Sequence, residues 1–193
     1  MEENAKNQEL AAALKEALKA KPLNRITVTE ISQACHINRQ SFYYHFKDVY
    51  YLAEYMYKTD VSQMLKEIGP ANWEEAFSNV FMYALSNRVM VLNTISAVDR
   101  DILQYNLGEE VGVIIGAIIK ERENALGITL LPEDEKVLAG FYMWPITGIV
   151  LDWMKSGMTT DPKAKFTSYV AIMNSNLEKN IRDMSAQEKN EKK

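Results

Sequence analysis

A single cysteine, Cys35, stands in the whole chain. It excludes an internal disulfide and with it the disulfide-stapled secreted scaffolds, and it fits a reducing, cytoplasmic compartment. The sequence opens MEENAKNQEL, polar and acidic where a secretory leader would need an apolar stretch. No run reaches the roughly 18 apolar residues of a membrane span, so no membrane partner is expected. Only two histidines occur, His36 and His45, and both precede residue 50. Residues 72–185 therefore hold no histidine and no cysteine, and they show no phosphate loop and no Glu-x-x-His pair. An enzyme is not expected, nor a cofactor. A metal at Cys35, His36 and His45 fails for want of a fourth ligand.

What is present is ordinary globular chemistry, with 47% apolar and 25% charged residues. Alternating strand-like runs are missing, whereas apolar residues recur at three and four: Leu10, Leu14, Leu18; Val49, Leu52, Met56; Val137, Phe141, Trp144. The fold class is all-α. Breakers at Lys21-Pro22, Gly69-Pro70, Leu131-Pro132 and residues 157–162, with softer joints at Asn87 and Asp99, predict about nine helices. Gly69-Pro70, followed by a fresh N-cap at Asn72, divides the chain into residues 1–68 and 71–185. The polar tail 186–193 is expected to be disordered.

The net charge is −4, yet residues 21–47 carry four basic side chains against one acid. That local excess of three positive charges, on an acidic remainder of −7, suggests a small phosphate-facing region. The same window reads TVTEISQACHINRQSFYYHFK. Thr27 with Glu30 three residues on is a capping box, Val28 and Ile31 face inward, and small Ser32 and Cys35 suit a close helix crossing. A turn at His36-Ile37 leads to Asn38, the next N-cap. Two short helices so joined are a helix-turn-helix. At about 100° per residue, Arg39, Gln40, Tyr43, Tyr44 and Lys47 share a broad outward face while Phe42 and Phe46 turn back toward Ile31 and Ile37. Such a face fits the floor of a DNA major groove, with Ser41 and His45 on the flank near the phosphates.

The segment ITVTEISQACHINRQSFYYHFKDVYYL resembles the N-terminal domain of the TetR family of bacterial transcriptional regulators, most specifically in SFYYHFKD, and the resemblance spans residues 10–65. Farther on, GFYMWPITGIVLDWMKSGM resembles the penultimate helix of the regulators similar to those of dihydroxyacetone kinase operons. The resemblance implies a three-helix DNA-binding domain followed by a helical ligand-binding and dimerisation domain. It places Arg39, Gln40, Tyr43 and Tyr44 toward bases, Thr27, Ser41, His45 and Lys47 toward phosphates, and Thr29 where some members read a base. Two departures stand out: His36 occupies a turn position that is commonly glycine, so it must take a left-handed backbone or the turn must differ, and Val49 replaces a frequent lysine.

In the body, Gly108, Gly112 and Gly116 line one helix face within NLGEEVGVIIGAII. Each costs about 1 kcal/mol against alanine, which calls for either a closely packed neighbour helix or room for a ligand. Pro145 inside FYMWPITGIVLDW frees the Phe141 carbonyl, as part of a pocket wall or as a bend. Tyr105, Gly112, Phe141, Tyr142, Trp144 and Pro145 are the candidate ligand residues. By the resemblance, helices at 132–155 and 161–184 form a bundle with a second subunit. Phe141, Ile149, Trp153, Tyr169, Ile172 and Met173 are the candidate contacts, on an apolar face wider than a lone hairpin needs. The expected function is repression or activation from a near-palindromic double-stranded operator by a homodimer, under control of an unknown small-molecule effector. The alternative is a coactivator or ligand-sensing partner subunit that binds DNA weakly.

Overall fold

The computed structural model describes residues 2–68 and 73–191. Among them there are nine α-helices, one 3-10 turn and no strand. The helices are α1 (Glu2–Ala20), α2 (Val28–Ala34), α3 (Arg39–His45), α4 (Val49–Ile68), α5 (Trp73–Ser86), α6 (Arg88–Ile95), α7 (Arg100–Leu126), α8 (Pro132–Lys155) and α9 (Pro162–Glu191). The Gly69-Pro70 joint and the Asn72 cap lie outside the described residues. The other expected joints each separate two elements. α9 extends to Glu191.

The chain forms two compact units, and the division is not a single cut. Met1–Lys66 and Met82–Arg100 make the first; Glu67–Phe81 and Asp101–Lys193 make the second. The first is therefore larger than the 1–68 module expected from the Gly-Pro break. Its core gathers the α1 leucines Leu10, Leu14 and Leu18 with Ile31, Phe42, Phe46, Leu52 and Met56, and Met90 of α6 joins them. Polar bonds fix the later segment in place. Lys15 Nζ donates to Asp60 Oδ1 at 2.7 Å, and the Tyr83 hydroxyl donates to Asp60 Oδ2. Tyr57 and Thr94 share a hydroxyl bond of 2.9 Å, and Asn93 Nδ2 donates to the Leu18 carbonyl at 2.8 Å. Burial, the main cause, pushes the Tyr57 phenol up to about 12, with the Thr94 hydrogen bond acting against it and the Asp60 charge adding to it. Tyr83 is raised as well, first by burial and then by its bond to Asp60.

In the second unit, Phe77, Phe81, Trp153 and Phe166 make an aromatic cluster with ring centroids 4.8–5.2 Å apart. α7 and α8 are long and apolar enough to cross a membrane by length and composition. Here Ile115, Ile118 and Ile119 of α7 and Leu151 of α8 are fully packed inside the unit. The glycine stripe is tied to close packing at one of its three positions, Gly112. A methyl group at Gly112 would lie 3.0 Å from Met143 Sδ, one at Gly108 would make ordinary contact with the Trp144 ring at 3.6 Å, and one at Gly116 would meet no atom of another element within 4 Å among the described residues. Buried Glu123 closes the α7–α8 connection, its Oε1 accepting from the Leu130 amide at 2.6 Å.

The helical periodicity of Val137, Phe141 and Trp144 is real, yet that stripe of α8 is exposed, with Phe141 at 66%. The opposite face, with Leu138, Tyr142, Ile146 and Val150, is the one that packs inward.

Candidate nucleic-acid interface

Thr27 caps α2, its Oγ1 accepting from the Glu30 amide at 3.2 Å, while the Glu30 carboxylate pairs with Lys21 Nζ at 2.7 Å. Helix α2 ends in a Schellman turn: the Ile37 amide donates to Ser32 O at 2.9 Å and the His36 amide to Gln33 O at 3.2 Å. The turn needs a left-handed residue, and His36 supplies it at φ 52°. Asn38 then caps α3, Oδ1 accepting from the Ser41 amide at 2.8 Å.

With both ends fixed, the rotation of α3 is set by its rings. Phe42 is completely buried and Phe46 nearly so, their centroids 6.2 Å apart. Arg39, Gln40, Tyr43 and Tyr44 are exposed, Tyr44 at 78% and Tyr43 at 48%. Arg39 Nη2 donates to the Tyr43 hydroxyl at 3.3 Å, and its guanidinium lies 5.9 Å from that ring's centroid. Lys47 is exposed just past α3, its ammonium 5.4 Å from the centroid of the Tyr51 ring. Ser41 is half-buried. So is His45, whose Nδ1 is enclosed without a hydrogen-bond partner, so that edge of the ring is closed to a phosphate. Thr27 and Thr29 are exposed at the start of α2. Val49 is buried in the core, so the position that is often lysine in the resembling family points inward here.

The sequence places a helix at Val49 without singling out the exposed residues at its start. Asp48 caps it, Oδ1 accepting from the amides of Tyr50 at 2.8 Å and Tyr51 at 3.1 Å, and both tyrosines are exposed. An open depression of about 300 Å³ follows, lined by His45, Phe46, Lys47, Tyr51, Glu54, Tyr55 and Lys58. The signal was available in KDVYYL, where an acid precedes the helix and Lys47 and Tyr51 stand four apart.

The candidate ligand residues do not converge. Tyr105, Phe141, Trp144 and Pro145 are exposed, Gly112 is packed by Met143, and buried Tyr142 accepts from Asn180 Nδ2 at 2.9 Å. The subunit-contact set also splits, and two members are corrected. Trp153 is 8% exposed, its ring against Phe81 and its Nε1 donating to Thr160 O at 2.9 Å, and Met173 is buried as well. Both serve the fold of their own chain. Phe141, Tyr169 and Ile172 are exposed, and Ile149 is half-exposed.

An outward polar face on the second helix of a capped helix-turn-helix, carried ahead of a helical body, defines the class of helix-turn-helix regulators. Residues 71–175 match a TetR-type family model described as "Transcriptional regulator C-terminal region". The chain belongs to the TetR family of transcriptional regulators. Among curated proteins, none matches the sequence. Among solved structures, the chain is similar to "Dihydroxyacetone kinase operon activator DhaS", with TM-score 0.68 and 16% identity over 93% of this chain and 97% of that one. It is also similar to a TetR transcriptional regulator from Rhodococcus sp. RHA1, with TM-score 0.53 and 12% identity over 95% and 97%. At these identities the likeness shows the fold.

Proposed function

We propose that the protein binds a near-palindromic DNA operator as a homodimer, with α3 in the major groove. The observation that carries this is the division of α3: Phe42 and Phe46 lock one side into the core while Arg39, Gln40, Tyr43 and Tyr44 present hydrogen-bonding groups to solvent. Lys47 supplies a phosphate contact at the end of the helix, and Thr27, Ser41 and the open edge of His45 add weaker ones. Thr29, one residue inside α2, is placed for the flank of the same groove. Exposed Phe141, Tyr169 and Ile172 and half-exposed Ile149 are the apolar side chains of α8 and α9 available to a second subunit.

A small-molecule effector in the second unit completes the reading. Its support is Glu121, whose Oε2 is buried without a hydrogen-bond partner, an orphaned acceptor of the kind a bound ligand satisfies. An effector would act by binding better to one arrangement of the two recognition helices than to the other.

The coactivator alternative draws on one observation, namely that several cations near the motif are already paired. Lys21 is bound to Glu30, Lys15 to Asp60 and Lys58 to Glu54, at 2.7–3.0 Å. Weak intrinsic DNA binding follows if these pairs persist. Gln40→Ala and Arg39→Ala separate the readings: both should keep the melting temperature and lose operator affinity. Unchanged affinity in both would overturn α3 as the reading helix.

A further inference from the structure

We propose that Arg39 is the guanine-reading residue of α3 and that Tyr43 is its positioning residue, acting on the base through Arg39. The inference rests on α3 facing DNA as proposed above.

The two residues stand four apart, so their side chains lie one above the other on the same helix face. The Tyr43 hydroxyl accepts from Arg39 Nη2 at 3.3 Å while the guanidinium sits beside the ring at 5.9 Å, a hydrogen bond and a cation–π contact from one side chain. Tyr43 is itself held. Its ring meets Phe42 edge to face at 5.8 Å and 89°, and Phe42 is fully buried. A rigid line therefore runs from the core through Phe42 and Tyr43 to the guanidinium.

Arginine reads DNA by its planar fork, which matches O6 and N7 of guanine together. A free arginine must surrender several rotors to do so. The Tyr43 contact removes part of that freedom before DNA arrives and uses one of five donors, leaving enough for a bidentate pair. Arg39 is the first residue of α3, and the N-terminal residues of a recognition helix are the ones that contact base edges. Tyr44 differs: its ring meets His45 edge to face at 5.2 Å.

The test is selection of binding duplexes from a random pool with the full-length protein. Affinities of wild type, Arg39→Ala, Tyr43→Phe and the double variant are then measured for duplexes altered one position at a time. Wild type should prefer guanine at one position of each half-site by about 5- to 150-fold, and Arg39→Ala should abolish that preference alone. Tyr43→Phe keeps the ring but not the acceptor, so it should reduce the preference at the same position by about 2- to 12-fold and leave the other positions unchanged. Combined with Arg39→Ala it should add nothing there. The inference is overturned if Tyr43→Phe shifts preference at a different position, weakens all duplexes alike, or changes nothing. Failure of wild type to select any sequence would overturn the DNA-reading face itself.

Discussion

Replacing Phe42 by alanine should strongly destabilise the unit that carries α3, whereas an outward substitution on the same helix should not. The side chain is fully buried, and its ring packs against Phe46 at 6.2 Å and Tyr43 at 5.8 Å. Truncation of a buried phenylalanine costs about 3–5 kcal/mol in lost transfer energy and residual cavity. The first unit has about 85 residues, for which a total stability of roughly 4–13 kcal/mol is ordinary. The loss is therefore between a quarter and all of it, and the unit's transition should fall by about 12 °C or more. Trp73, Trp144 and Trp153 all belong to the second unit, so tryptophan fluorescence follows that unit while far-ultraviolet circular dichroism follows both. The circular-dichroism transition should move in Phe42→Ala and stay in place in Gln40→Ala, whose side chain is exposed. A loss below about 1 kcal/mol in Phe42→Ala, or melting of Gln40→Ala, would mean that α3 is rotated from the orientation described and that the reading face is wrong.

Four further outcomes are expected. Trp153→Glu should melt the second unit, because a carboxylate would be buried among Phe81 and its neighbours. Ile172→Glu, at a position 60% exposed, should keep the melt and yield monomer by light scattering; an unchanged dimer there would remove the α8–α9 surface from the account. His36→Gly should stabilise the protein by about 1 kcal/mol in urea titration, since it relieves a left-handed β-carbon at φ 52°. The Tyr57 phenol titrates near 10 when unfolded and is raised to about 12 when folded, so its contribution is full below pH 10 and fades as pH rises toward 12. Tyr57→Phe should flatten that alkaline loss, and an identical pH profile would refute the assignment.

The helix-turn-helix was legible because its determinants are local. Thr27 and Asn38 are caps, His36 sits where the turn reverses, and Phe42 and Phe46 set the phase of α3 within a single turn of helix. The allocation of 82–100 to the first unit was not legible, since it depends on bonds between residues 23 to 75 positions apart: Tyr83 with Asp60, Thr94 with Tyr57, Asn93 with Leu18. The burial of the proposed subunit contacts was legible only in part, for a related reason. Periodicity shows that Trp153 and Ile172 are apolar positions on helices, but not that Phe81 already packs against the Trp153 ring. The same limit applies to Val137, Phe141 and Trp144, a regular stripe that faces outward. The ligand candidates failed to converge because glycine spacing reports closeness of packing without saying what packs, which at Gly112 is Met143.

The central claim is that the outward face of α3 reads DNA sequence, and a titration of labelled duplex tests it most directly. The duplex is taken from the region upstream of the protein's own gene and compared with a scrambled duplex of the same length, at several salt concentrations, for wild type and Lys47→Ala. Binding should be tighter to the upstream duplex and should weaken steeply with salt, the slope becoming shallower by about one for each bound subunit in Lys47→Ala. Equal affinity for both duplexes, or no binding to either at low salt, would contradict the account.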